Sequence, residues 1–214
     1  MNRLVIIVFG SLMILLSGHL LAQENFRPMA DAGAFKENLV KASASINTIA
    51  SDFIQEKNLS VLTEKIISKG RFAFRKENNI RWEYTEPYKY LIIISNNQMF
   101  MRDEKNKKQL DIQSNPFFQE MNKFITGCIK GDILQNDNDY TKEYFENERS
   151  YYVKLVPKSE KVKQILNEVH LWFDRNDLSV TKLKMVESGN DYTQIIFTNK
   201  ILNTEIPLEK FSFK

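Results

Sequence analysis

Cysteine is nearly absent from this chain: Cys128 stands alone among 214 residues. No intramolecular disulfide can form, so the fold must rest on its apolar core. Histidine is almost as scarce, with only His19 and His170. A three-residue catalytic set or a histidine-rich metal site therefore has little material to draw on. Seven glycines leave no glycine-rich phosphate loop. No Gly-x-Ser-x-Gly and no His-Glu-x-x-His run occurs. An excess of one charge is also lacking: 30 Lys and Arg stand against 27 Asp and Glu, for a net +3. The two signs alternate throughout, which argues against a nucleic-acid partner. Neither a metal, a cofactor nor an enzymatic activity is expected from this inventory.

What is present starts with the N-terminus. Met1-Asn2-Arg3 is a short basic start, and Leu4 to Leu16 is an apolar run broken by Gly10 and Ser11. Ala22 precedes a plausible cleavage point before Gln23. This predicts a cleavable signal peptide over 1–22 and export to the periplasm. The alternative, an uncleaved anchor, is disfavoured because the run is short for a membrane span and no basic cluster follows it. No cysteine lies near the cleavage point, so a lipid anchor is not expected. Residues 23–214 are read as one domain, large enough for a substantial core.

The richest stretch runs from Ser68 to Met101. Phe72 and Phe74 alternate with Arg71, Ala73 and Arg75. Ile80, Trp82 and Tyr84 alternate with Arg81 and Glu83. Period-two alternation places each set on one face of a sheet. Tyr90 to Ile94 is almost continuously apolar. Turn chemistry separates these strands at Lys76-Glu77-Asn78-Asn79, Glu86-Pro87 and Asn96-Asn97. Such a face must be buried, against protein or against a ligand.

Two helices are expected. Phe35, Leu39, Ala42, Ile46 and Ile49 recur at helical spacing over 31–50, with Asp31 as N-cap. Asn115-Pro116 is a helix start. Phe117, Phe118, Met121, Phe124, Ile125, Cys128 and Ile129 then share a face, and Gly131 can end the helix. Strand patterns surround the second helix: 51–59, 62–68 and 109–112 before it, then 151–156, 165–173, 179–186 and 192–197. Helix, strands, helix, strands predicts an α+β domain built on an antiparallel sheet.

Each chemical candidate has a plain structural reading. His170, between Val169 and Leu171 in a strand, reads as a hydrogen-bonded structural residue. Cys128 reads as a small buried hydrophobe rather than a nucleophile. The aromatic strands and the Phe-rich helix read first as core.

The chain nonetheless resembles the LolA-type periplasmic carriers of lipoproteins, through short marks in matching order. These are Ala50-Ser51-Asp52-Phe53-Ile54-Gln55-Glu56-Lys57, Lys69-Gly70-Arg71-Phe72, Arg81-Trp82-Glu83-Tyr84-Thr85-Glu86-Pro87, Ser95-Asn96-Asn97-Gln98, Asn115-Pro116-Phe117-Phe118 and a closing strand at Phe211-Ser212-Phe213. The resemblance implies an incomplete, open antiparallel β-barrel covered by helices acting as a lid. It implies an acyl-chain cavity lined by Phe53, Phe72, Phe74, Ile80, Trp82, Tyr84, Ile93, Phe117, Phe118, Met121, Phe124, Ile125 and Cys128. It implies a monomeric carrier, loaded by an inner-membrane ABC transporter and unloaded at an outer-membrane receptor or membrane. The family's lid is latched by an Arg before the turn leading to the Trp strand. Lys76-Glu77 occupies that place here, so Arg75, Lys76 and Arg81 are the latch candidates. Carriers of another amphiphile, such as a glycolipid or pigment lipid, share the resemblance. So do LolB-like receptors, whose lipid-bearing cysteine this chain lacks. An enzyme with an unrecognised carboxylate site is the remaining alternative.

Overall fold

A computed structural model describes residues 25–114, 116–135, 138–187, 189 and 191–213. The expected signal peptide and the Asn115 cap lie outside these residues. The chain enters through β1 (Arg27–Pro28) and α1 (Ala32–Ser45). A meander follows: β2 (Thr48–Asn58), β3 (Ile66–Arg75), β4 (Asn79–Glu86), β5 (Tyr90–Ser95), β6 (Gln98–Arg102) and β7 (Lys107–Asp111). Next comes α2 (Pro116–Lys130). A second meander has β8 (Tyr140–Glu146), β9 (Ser150–Pro157), a short α3 (Glu160–Lys163), β10 (Glu168–Asp174), β11 (Val180–Val186) and β12 (Tyr192–Leu202).

β12 pairs with β2, which joins the two meanders into one 12-stranded antiparallel sheet ordered β1-β8-β9-β10-β11-β12-β2-β3-β4-β5-β6-β7. The sheet is open, with β1 and β7 at its edges. The helix α2 connects β7 to β8, from one end of this order to the other. It therefore has to cross the open side, and its inward face packs on the core there.

Local chemistry explains the hairpins. Glu77 and Asn78 have φ of 73° and 61°, and Asn96 and Asn97 have 51° and 60°. Two consecutive residues of positive φ make the tight turn whose twist suits antiparallel strands, and asparagine tolerates it well. The Asp31 carboxylate accepts from the Ala34 N–H at 2.8 Å, capping α1 as expected. Gly131 takes φ 73° after α2, and a side chain there would meet Leu39 of α1.

Three sequence expectations are corrected. The first helix stops at Ser45, and Ile49 lies in β2. Ile46 and Ile49 keep apolar spacing, but the extended backbone at Ile46 ends the helix. The strand expected over 62–68 begins only at Ile66. Phe211-Ser212-Phe213 is no closing strand: Leu208–Phe211 is a turn of 3-10 helix. That segment lies on the outer face of the sheet, where Ile206 and Phe211 pack with Leu91, Ile93 and Phe100. The Phe213 ring stacks on Phe100 with centroids 5.6 Å apart.

Candidate functional site

Strand parity builds one wall of a cavity. In β2, Ile49, Ser51 and Gln55 face inward, and Phe53 is buried among them. Residues paired directly across a ladder share a face. Ser51 pairs with Phe72, Phe72 with Trp82 and Trp82 with Ile92. This row therefore crosses four strands on one side of the sheet. A parallel row runs through Phe74, Ile80 and Ile94. From the second meander come Leu171, Val180, Leu183, Met185, Ile195 and Phe197. Opposite them stand Phe124, Ile125, Cys128 and Ile129 of α2. The cavity between them is about 330 Å³. That lies at the small end of the range for ligand pockets, about 300–1,000 Å³.

Aromatic rings fix this floor. Trp82 stands 5.1 Å from both Phe53 and Phe72, and 6.1 Å from Phe197. Tyr84 meets Phe53 edge-on at 5.2 Å, and its hydroxyl donates to Gln55 Oε1 at 2.9 Å. Tilted and edge-to-face pairs suit the ring quadrupole and hold the aromatic floor in one arrangement.

Of the residues expected to line a cavity, Phe72, Ile80, Trp82, Tyr84, Phe124, Ile125 and Cys128 are brought together here. Phe53 and Phe74 are buried in the same apolar cluster, behind the lining. The side chains of Phe117, Phe118 and Met121 in α2 lie outside the described set. Ile93 points the other way. It pairs with Arg81 on the outer face and packs under the C-terminal segment. The apolar run Tyr90–Ile94 is buried on both faces, so its composition alone does not reveal which residues face in. Ile92, Ile94, Met99, Met101 and the whole contribution of β10–β12 were not anticipated. Their signal was available only by pairing each strand's inward parity with Trp82.

The three basic candidates separate as well. Lys76 Nζ donates to the Ala44 carbonyl of α1 at 2.6 Å. Arg75 donates to the Ile206 carbonyl at 2.6 Å, and Arg81 to the Lys210 carbonyl at 3.2 Å. The two arginines thus fasten the C-terminal segment to the sheet's outer face.

Cys128 and His170 are both held by their surroundings. Burial pushes the Cys128 thiol well above its ordinary pKa, which suppresses the thiolate. His170 lies on the outer face between Tyr152 and Trp172. Its Nδ1 meets the Tyr152 hydroxyl at 2.6 Å and its Nε2 meets Glu168 at 3.1 Å. This is the hydrogen-bonded structural histidine expected. Among the described residues no three His, Cys, Asp or Glu side chains converge as metal ligands. No described helix is long and apolar enough to cross a membrane.

Comparison with known proteins adds an independent line. A family model described as outer membrane lipoprotein carrier protein LolA matches residues 44–214. An outer-membrane lipoprotein carrier protein of Methylococcus capsulatus is 26% identical over 170 residues, covering 79% of this chain and 77% of the relative. Another, from Xanthomonas axonopodis, is 23% identical over 193 residues, with 90% of each chain covered. Among solved structures, a chain of the Pseudomonas aeruginosa MucA/MucB complex superposes with a TM-score of 0.54 at 15% identity. The match spans 86% of this chain and 62% of that one, and shares the fold.

Proposed function

The chain belongs to the LolA family of outer membrane lipoprotein carrier proteins, and on that premise we propose how it carries its cargo. Acyl chains of a lipoprotein enter the cavity as α2 lifts from the sheet, and are expelled when α2 closes back onto it. The observation that carries this reading is the apolar lining that surrounds Trp82 on one side and Phe124, Ile125 and Cys128 on the other. No bond is made or broken in the cargo, so the carrier works without catalysis.

The size of the cavity fits a carrier that must also unload. Each buried methylene contributes about 0.8 kcal/mol, so complete burial of several acyl chains would hold cargo too tightly for transfer. A small cavity under a movable helix limits that burial. Lys76 is the latch in this reading. Its bond to Ala44 ties the β3–β4 hairpin to the last turn of α1, a helix in contact with α2. The N-terminal pattern supports export to the periplasm, where the carrier would take cargo from an inner-membrane ABC transporter and pass it to an outer-membrane acceptor. Residues 23–214 would act there as a single domain.

Native mass spectrometry of the protein isolated from a Gram-negative envelope tests this function. Bound triacylated lipoprotein is the expected result. A different retained amphiphile would assign the cavity to another cargo, and retention of no lipid would contradict the reading.

A further inference from the structure

The cavity is not uniformly apolar. Between Thr198 and Ile201 the pairing of β12 with β2 slips, so Asn199 and Lys200 together oppose Ser51. Asn199 takes φ 51°, and its side-chain amide donates to Asp52 Oδ2 at 2.8 Å, which holds the bulge. Bulges re-aim side chains, and this one turns Lys200 into the cavity lining. The Lys200 side chain is only 14% exposed. Its ammonium donates to Asp177 Oδ1 at 3.1 Å and to Ser179 Oγ. Ser179 in turn donates to Asp177 through its hydroxyl at 2.5 Å and its amide at 2.9 Å.

An ammonium has three N–H donors, and these contacts use two. Beside it, Ser51 is 7% exposed and lines the same cavity, yet its hydroxyl has no hydrogen-bond partner. Buried polar groups in folded proteins are almost always paired, so an unpaired one calls for a reason. Both groups offer donors in a lining that is otherwise mostly hydrocarbon or aromatic; its other polar side chains include Gln55, bonded to Tyr84, and Ser179, bonded to Asp177. The Lys200–Asp177 pair is neutral overall, which suits an uncharged acceptor better than a free anion.

Resting on the carrier reading, we propose that Lys200 and Ser51 form a subsite for the ester or amide carbonyl that begins an acyl chain. The subsite orients the cargo: the carbonyl docks at the β12 bulge, and the alkyl tail extends toward Trp82 and α2. It also lets the cavity tell an acyl lipid from an alkyl one of equal length.

The test uses two probe pairs in a fluorescence-displacement assay on the mature protein. One is a dipalmitoyl-glyceryl-cysteine peptide with its dihexadecyl ether analogue. The other is diacyl and dialkyl phosphatidylethanolamine. Wild type should prefer the ester lipopeptide by about tenfold, the affinity equivalent of one net hydrogen bond. Lys200→Met and Ser51→Ala should each erase most of that preference, read as the ratio of ester to ether affinity within each variant. Ser51→Ala removes a hydroxyl that has no hydrogen-bond partner, so it should fold like wild type even where Lys200→Met, which takes the cation from Asp177 and leaves it only its Ser179 hydrogen bonds, does not. Preference in the lipopeptide pair alone supports a site for the lipoprotein's own carbonyl, and preference in both pairs supports a general acyl-ester site. Equal wild-type affinity for ester and ether, or a preference that survives Ser51→Ala and Lys200→Met, overturns the subsite while leaving the carrier function standing. Failure of all four probes to bind would instead remove the carrier reading, and the subsite with it.

Discussion

The Lys76 ammonium donates to the Ala44 carbonyl across 2.6 Å, and this contact supplies what α1 lacks at its C-terminus. The last turn of α1 contains no basic residue. Its final carbonyls are met from several directions: Ala42 by the Ser45 hydroxyl, Ser43 by the Ile46 N–H, Ala44 by Lys76 and Ser45 by the Asn203 amide. A cation at this negative end also favours the helix, by about 0.3–1 kcal/mol at exposed sites.

Replacement of Lys76 by Met should therefore cost little stability, about 0.5–1 kcal/mol, because the contact is exposed. Its larger effect should be on function. If the latch favours the closed state, its loss shifts the population toward the open, cargo-holding form. Cargo release to acceptor vesicles should slow, and amide exchange near 42–46 should quicken. Release and exchange both equal to wild type would remove Lys76 from the mechanism.

Gly70 makes a sharper structural prediction. It lies in β3 opposite a bulge of β4, where Thr85 is the extra residue between Tyr84 and Glu86. A Cβ there would overlap the Glu83 carbonyl oxygen and approach the Phe53 ring to within 2.7 Å. Neither backbone nor a ring buried under Trp82 can yield cheaply. Gly70→Ala should destabilise by about 1–3 kcal/mol or more, the usual cost of overpacking. Urea unfolding measures it, and a midpoint matching wild type would contradict the packing described.

His170 should make stability depend on pH. Burial lowers its pKa below 6.5, outweighing the opposite pull of Glu168, with Lys184 and Lys154 adding to the depression. The folded state thus prefers the neutral ring. Stability from this group is complete above the ordinary value of 6.5 and is lost as pH falls through the lower folded value. Melting temperature should decline between pH 7 and 5, and His170→Phe should flatten that portion of the curve. An unchanged slope in the variant, or an NMR titration midpoint above 6.5, would reverse the assignment.

The lid can be read through the lone thiol. Cys128 lines the cavity from α2, so maleimide labelling should be slow in the empty, closed protein. Binding of a lipopeptide must separate α2 from the sheet and change that rate, together with exchange across 116–130. Identical labelling and exchange with and without lipopeptide would make α2 fixed core.

Much of this arrangement was legible in the sequence, for identifiable reasons. The alternation around Trp82, the Pro116 start of α2 and the Asp31 cap are local signals, and each sits where its pattern placed it. Ile93 was misplaced because β5 is apolar on both faces, and only its pairing with Arg81 decides the side. The inward role of Lys200 was invisible, since it depends on a bulge set by two strands about 150 residues apart in sequence. Likewise, Arg75 and Arg81 looked equivalent to Lys76 until the C-terminal segment was seen to lie over the outer face.

The two tryptophans allow the most direct measurement. Trp82 lines the cavity, whereas Trp172 stacks with Tyr152 on the outer face, under Lys182. In a Trp172→Phe protein, Trp82 is the sole indole, and Trp82→Phe leaves Trp172 alone. A lipopeptide with bromine atoms along its acyl chains quenches only indoles that its hydrocarbon touches. Saturating lipopeptide should quench Trp82 strongly and leave Trp172 unchanged, with no quenching of either by the brominated headgroup lacking chains. Equal quenching of the two indoles, or quenching of Trp172 alone, would mean that the acyl chains do not occupy this cavity.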